Sequence, residues 1–290
     1  MPWLTLIVMG PLVAAVLVAL LPKEYRVLFR LLALGSTLLS LLGAVRVFAG
    51  FDPARAGLQF EEYAGWIDFL GAGYHLGLDG LSAALLLPTA VVVFAAACWA
   101  REIATREKEF YLLLLVMSGG VLGAFVAQDL LLMFVFHELA LIPTFLGIGI
   151  WGRGEEREYA AYKLTIYLTV GSLLVLVGLI GVYAGAEFRS LDVVELRRHL
   201  AADPMPAGVQ KAVFGTLMLG FGILAALWPF HTWAPMGYAT APSPIAVIHA
   251  GALKNFGLYG LIRVATPMLP DGAAFWLPWL GWLALGNILY

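Results

Sequence analysis

The chain has 290 residues, 62% of them hydrophobic and only 12% charged, with a mean hydropathy of +0.90. A soluble domain carries about twice that charged fraction, so a soluble globular fold is excluded and a polytopic helical membrane protein is implied. The net charge of −2 supplies no basic surface for nucleic acid, and a single cysteine, Cys98, excludes a disulfide or a thiolate-held cluster.

The first apolar run, Trp3–Leu21, lacks a basic leader and ends in Lys23 and Arg26 instead of a small-residue cleavage site, so it reads as a helix and not a signal peptide. Further runs of spanning length follow at Leu28–Ala49, Leu81–Ala100, Phe110–Ala127, Leu130–Ile150, Tyr162–Gly185, Lys211–Pro229, Ile245–Thr266 and Ala274–Tyr290. The expectation is an all-α transmembrane bundle of about nine helices. The last run meets no cap, polar flank or stop, so Tyr290 reads as a truncation point inside a helix.

The connections carry the orientation signal. Lys23, Arg26 and Arg30 flank the first, Arg101, Arg106 and Lys108 the third, and Arg153, Arg157 and Lys163 the fifth. The second is richer in acids (Asp52, Glu61, Glu62, Asp68), and the fourth has only Asp129. Odd connections then face the cytoplasm and the N-terminus faces out of an inner (cytoplasmic) membrane. The sixth, with Arg189, Arg197, Arg198 and Lys211, is long enough for the rule to weaken. Residues 1–50 form two N-terminal helices. Residues 51–80 form an outside connection with a short element of its own, such as a hairpin over the helix ends. Residues 81–243 form a transmembrane core, interrupted at 186–210, and 244–290 begin a further unit. Within the interruption, Ser190–Leu200 sets Leu191, Val194 and Leu200 among Asp192, Glu195, Arg197 and Arg198. That pattern suits an amphipathic interfacial helix or a plain solvated linker.

Two glycine patterns imitate a nucleotide loop: Gly147–Gly152 fits GxGxxG and Gly220–Ala225 its GxGxxA variant. The dinucleotide mechanism needs a strand before the glycines and a helix N-terminus after them. One pattern closes an apolar helix and the other lies inside one, so both read as close-packing glycines, as do Gly119–Gly123 and Gly181–Gly185.

The informative residues are polar groups inside apolar runs. Glu138 sits near the middle of Leu130–Ile150, where a carboxylate costs roughly 2.5–3.5 kcal/mol on insertion scales. Asp129 stands at the N-cap of that run, and Pro143 frees the carbonyl of Leu139 beside the acid. Lys254 falls near the middle of Ile245–Thr266, flanked by Gly251 and Gly257 and followed by Asn255. It is either a proton carrier, a structural ion pair or a snorkelling end residue. His249 precedes it by five residues, about 140° around an α-helix, so the two are expected on different faces. It reads as a second proton carrier or as a packing histidine. His137 is expected to point away from Glu138 as a structural residue. The segment Trp228–Pro235, with Pro242 and Pro244 behind it, breaks the seventh run, and His231 lies in the break. Irregular backbone at membrane depth is tolerated where it is buried in protein or lines water. The histidines are scattered and form no metal set, and no serine–histidine–acid arrangement stands out.

On these residues the chain resembles the antiporter-like, proton-translocating membrane subunits of respiratory complex I, nearest to the subunit M type of NADH–quinone oxidoreductase. The matching segments are Tyr74–Ser82, the Glu138 helix ending in Trp151-Gly152, Tyr159–Leu174, Pro229–Pro235 and Ala252–Arg263. The resemblance implies an antiporter-like fold of about fourteen helices with two inverted repeats, each with a broken helix. This chain would hold the first and the start of the second. It places Glu138 at the family's fifth-helix glutamate, Lys254 at its eighth-helix lysine and His231 at the histidine after the break. The family's seventh-helix lysine would fall near Leu224, where no lysine is present, and Met236 stands where an acid often follows the break.

The function implied is proton translocation by a membrane-arm subunit, with Glu138, Lys254, His249 and His231 as relay residues. No redox centre, flavin, cluster or nucleotide falls to this chain itself. Its partners would be the lipid bilayer and the other membrane-arm subunits. Two alternatives stand beside it: a subunit of a multisubunit cation/proton antiporter or membrane-bound hydrogenase, and a non-pumping spacer whose polar residues are locked in fixed pairs.

Overall fold

The computed structural model describes residues 1–290, and nine of its helices are long and apolar enough to cross a bilayer. In chain order the helices are α1 (Trp3–Leu20), α2 (Arg26–Ala49), α3 (Gly80–Trp99), α4 (Glu107–Val126), α5 (Leu130–Trp151) and α6 (Arg157–Gly185). Then come α7 (Val193–Ala202), α8 (Ala207–Leu224), α9 (Trp233–Thr240), α10 (Ser243–Met268) and α11 (Pro270–Leu289). All but α7 and α9 have spanning length.

The most enclosed helix is α4, with 78% of its apolar window buried against 11% for α11. In lipid the hydrophobic effect does not pull helices together, so close packing of small residues must. A side chain at Gly120 would come within 2.7 Å of the Phe136 carbonyl and the Ala140 amide of α5, and one at Gly119 within 2.5 Å of Leu12 on α1. The two nucleotide-like patterns behave in the same way. A Cβ at Gly147 would come within 2.9 Å of Ile245, and one at Gly220 within 2.8 Å of the Gly171 carbonyl of α6.

Helix α8 stops for a local reason. The Leu227 amide donates to Gly222 O at 2.8 Å and the Ala226 amide to Ile223 O at 3.0 Å. Ala226 takes the left-handed conformation at φ +58°. These are the paired bonds of a Schellman stop, completed by the approach of Leu227 to Gly222. The break therefore begins at Ala225, before Trp228–Pro229, which is a cis peptide. Residues 225–232 are not helical, and α9 restarts at Trp233, whose indole donates to the Ile223 carbonyl at 3.1 Å.

Helix α10 is a continuous rod with two wide π turns, His249–Leu253 and Leu261–Ala265. At the first, the Lys254 amide donates to His249 O at 2.9 Å, so five residues close one turn.

The first, third and fifth connections gather at one end of the bundle, where Arg26 pairs with Glu107 at 3.2 Å and Arg153 with Glu102 at 3.1 Å. The opposite end carries a two-stranded antiparallel hairpin, β1 (Gln59–Ile67) and β2 (Ala72–Leu78). Glu62 of β1 caps the first turn of α1, accepting from the Leu4 amide at 2.8 Å, the Thr5 amide at 2.9 Å and the Thr5 hydroxyl. The backbone of β2 is stitched to the α4–α5 turn (Gln128 N to His75 O, 2.8 Å) and to the start of α7 (Leu191 N to Gly71 O, 3.0 Å). Of the two readings of residues 190–200, the helix is the one found. It buries Val193, Leu196 and Leu200, and Asp192 caps it by accepting from the Val194 and Glu195 amides, both at 2.9 Å.

His75 lies buried where hairpin and α7 meet, with Nδ1 on Asp192 and Nε2 2.9 Å from Glu61. Burial pushes its imidazole down, but the two carboxylates outweigh that and hold it above the ordinary histidine value. Asp192 is also desolvated, yet the His75 ring and the α7 amides hold it below the usual carboxylate range.

Candidate functional site

Glu138 is the ninth residue of α5, about 12 Å along the rod from its hairpin end at 1.5 Å per residue. Its carboxylate has no lysine or arginine within salt-bridge distance. It accepts a hydrogen bond from the Ser172 hydroxyl of α6, and His137 Nδ1 lies 3.2 Å from the same oxygen. The expectation that His137 points elsewhere is therefore corrected: the imidazole folds back onto its neighbour's carboxylate. It is buried and stacked on Phe256 of α10, ring centroids 4.2 Å apart and 19° between planes.

The slot beside this group is filled by an apolar side chain. Leu224, at the end of α8, is buried and its Cδ2 lies 3.2 Å from where a Cβ on Gly171 would stand, one residue from Ser172. A neutral donor and an imidazole thus hold the acid where the resemblance implied a lysine.

Lys254 is half-buried on α10 and pairs with no acid. Its helix approaches α8 closely, since Gly257 would place a Cβ 2.3 Å from the Phe221 carbonyl. The 140° separation of Lys254 from His249 is corrected by the π turn. With the 249–254 hydrogen bond closing one turn, the two residues occupy successive positions along neighbouring faces. His249 is buried, with Nδ1 3.1 Å from the Tyr238 hydroxyl of α9 and Nε2 without a partner. His231 lies in the break after α8, its Nδ1 also buried and unpartnered, with its ring edge-on to Tyr290 at 4.8 Å. Next to it the Thr232 hydroxyl donates to the Tyr167 hydroxyl of α6 at 3.3 Å.

The four sequence-derived residues fall in three places. Glu138 is with Ser172 and His137 on α5 and α6, while Lys254 and His249 share α10, reached from the first group across the Phe256 ring. His231 and Thr232 lie nearer the charged end of the bundle. Sequence reasoning missed Ser172, Tyr238 and Tyr167, whose hydroxyls on apolar helices give no signal on their own. It also missed a second polar layer near the hairpin end, where Arg263 of α10 meets Asp79 and Gln128.

The family model described as NADH:quinone oxidoreductase/Mrp antiporter, TM, matches residues 127–290. Across its whole length the chain is 34% identical to NAD(P)H-quinone oxidoreductase chain 4-2 of Synechocystis sp. and covers 51% of that protein. It is 36% identical to NAD(P)H-quinone oxidoreductase chain 4 of Prochlorococcus marinus, of which it covers 54%. The chain thus spans about half the length of the curated relatives it matches. Among solved structures it is similar to a chain of respiratory complex I from Thermus thermophilus with bound NADH. There the TM-score is 0.80 and the identity 32%, over 94% of this chain and 55% of that one. It also shares its fold with a chain of the Mrp complex from Dietzia sp. DQ12-45-1b, with a TM-score of 0.76 at 17% identity over 93% of this chain and 29% of that one. A family match over more than half of the chain establishes that the chain belongs to the NADH:quinone oxidoreductase/Mrp antiporter transmembrane family.

Proposed function

We propose that this chain handles protons as an antiporter-like membrane-arm subunit of a complex I-like NADH–quinone oxidoreductase. Electron transfer then falls to other subunits, and no redox cofactor is assigned to this one. The observation that carries the reading is the setting of Glu138: a carboxylate inside a spanning helix, held by a hydroxyl and an imidazole and by no fixed cation. A locked spacer would pair this half-buried acid with an arginine or lysine, and neither lies within salt-bridge distance. Here either protonation state can be accommodated, because Ser172 can donate to the carboxylate or accept from the acid.

In this reading Glu138 and His137 form the loading pair. Lys254 and His249 on α10 receive the charge, and Tyr238 with His231 and Thr232 leads toward the charged end of the bundle. That end faces the cytoplasm of a cell inner membrane by its Lys/Arg content, with the N-terminus outside. The first repeat of the fold would span the core to the broken helix, and residues 244–290 would begin the second.

The test is proton pumping by the reconstituted complex carrying Glu138→Gln, compared at equal electron flux. Pumping should fall severely, and pumping equal to that of the unaltered protein would refute the relay. Use of the same residues in a cation/proton antiporter is the second reading, favoured by the shared fold with the Mrp chain. It predicts antiport activity without quinone-reactive partners in the purified assembly.

A further inference from the structure

Five residues beyond Lys254, Tyr259 is 1% exposed, and its hydroxyl lies 3.2 Å from the Ser82 hydroxyl of α3 and donates to the Phe125 carbonyl of α4 at 3.1 Å. Four residues further, in the second wide turn, Arg263 is 8% exposed. One guanidinium nitrogen donates to Asp79 Oδ2 at 2.5 Å and another to the Gln128 side chain, while its Nε is buried without a partner. At about 1.5 Å per residue, these groups rise from Lys254 toward the hairpin end in steps of about 7 Å and 6 Å. Above them opens a groove of about 220 Å³ lined by Gly57, Leu58, Asp79, Val193, Val194, Arg197 and Arg263. Two arginines and one acid give this mouth a positive balance.

None of these residues is needed to hold Glu138 or Lys254. A guanidinium does not lose its proton in a protein, so Arg263 cannot relay one. It can only stand as fixed charge, and a fixed positive charge in a narrow polar passage is a barrier to protons and cations. We propose that Arg263, held by Asp79 and Gln128, is an electrostatic gate at the hairpin end of the bundle, above the buried hydroxyl pair Tyr259 and Ser82 that stands between it and the level of Lys254. It keeps protons on the outer side from reaching the relay. Asp79 and Gln128 are positioning residues that hold the guanidinium in the passage, and Tyr259 is the hydroxyl through which a breached gate would conduct.

The inference rests on the proton-handling reading, and the two can fail separately. The measurement is the passive decay of a pH gradient in dye-loaded liposomes containing the full chain. Arg263→Gln alone would strand Asp79, so the informative variant is the neutral pair Asp79→Asn/Arg263→Gln, in which Asn still caps α3. That pair should dissipate the gradient about tenfold faster than the unaltered chain, at the low end of what focused charge does to an ionic rate. Arg263→Lys, which keeps the charge, should stay tight, and adding Tyr259→Phe to the neutral pair should restore tightness. A tight neutral pair, a leaking Arg263→Lys, or a leak that survives Tyr259→Phe would each overturn the gate. A tight neutral pair leaves the relay standing, whereas undiminished pumping by Glu138→Gln removes the relay and not the gate.

Discussion

Leu224 stands near the position where the resemblance implies a lysine. It fills the space one residue from Ser172 with a branched apolar side chain, leaving Glu138 to a hydroxyl and His137. Leu224→Lys would place an amine in that space at a cost of roughly 2.5–3.5 kcal/mol for a cation at membrane depth, part of which pairing with Glu138 would return. In detergent the variant should melt below the parent, and Leu224→Lys/Glu138→Gln should melt lower still. Equal melting of single and double variants would show that the two positions do not communicate. At this scale the charged residues were legible in the sequence, because an acid or amine in an apolar run has no packing reason to be there. Ser172, Tyr238 and Tyr259 were not: a serine or threonine hydroxyl can satisfy itself on its own helix, as Thr144 does on Ala140 O at 3.1 Å, and a tyrosine sits in an apolar run on the account of its ring alone. Only the neighbouring helix decides otherwise.

The hairpin shows how single elements tie the bundle together. Its Glu62 is the only side-chain cap on α1. Glu62→Ala should cost about 1–2 kcal/mol, the ordinary value of a lost N-cap. The effect should be local, as faster hydrogen exchange at the Leu4 and Thr5 amides; unchanged protection there would mean that the cap contributes nothing. The His75 contact makes the hairpin's attachment to α7 depend on pH. The folded-state value of His75 is raised, so its contribution is complete below the ordinary histidine value of about 6.5 and is lost as pH rises through the raised value. Asp192 works the other way: its value is depressed, so its contribution is present above the usual carboxylate range and fades as pH falls through the lowered value. Exchange of hairpin amides, corrected for intrinsic rates, should therefore quicken above the His75 transition, and His75→Gln should abolish that step. The hairpin itself was foreseeable from an acidic stretch between two spans, but its register was not, because Ala72–Leu78 alternates weakly. The stop of α8 was placed too late, at the prolines, since a Schellman turn with alanine in its left-handed position leaves no mark in the sequence. The wide turns of α10 were equally invisible, and arguments from 100° per residue failed where they occur.

For the whole molecule, the nine spans and the grouping of basic connections at one end follow from composition and length alone. The direction of insertion is checked by labelling. On a Cys98→Ser background, Glu155→Cys in the α5–α6 connection and Ala56→Cys before the hairpin are both solvent-exposed positions. In right-side-out vesicles a membrane-impermeant maleimide should label Ala56→Cys and spare Glu155→Cys, and the reverse pattern would invert the topology. The build of α10 carries a consequence for this framework. Each π turn holds one residue more than the α pitch requires, so residues 254–260 lie between two dislocations while the rod is pinned beyond them at Tyr238 and Asp79. Passing the surplus residue from one dislocation to the other would swivel that segment by about 100°. Lys254 and Tyr259 would be carried to a new bearing with neither of those anchors released, at the cost of the Tyr259 bonds to Ser82 and the Phe125 carbonyl.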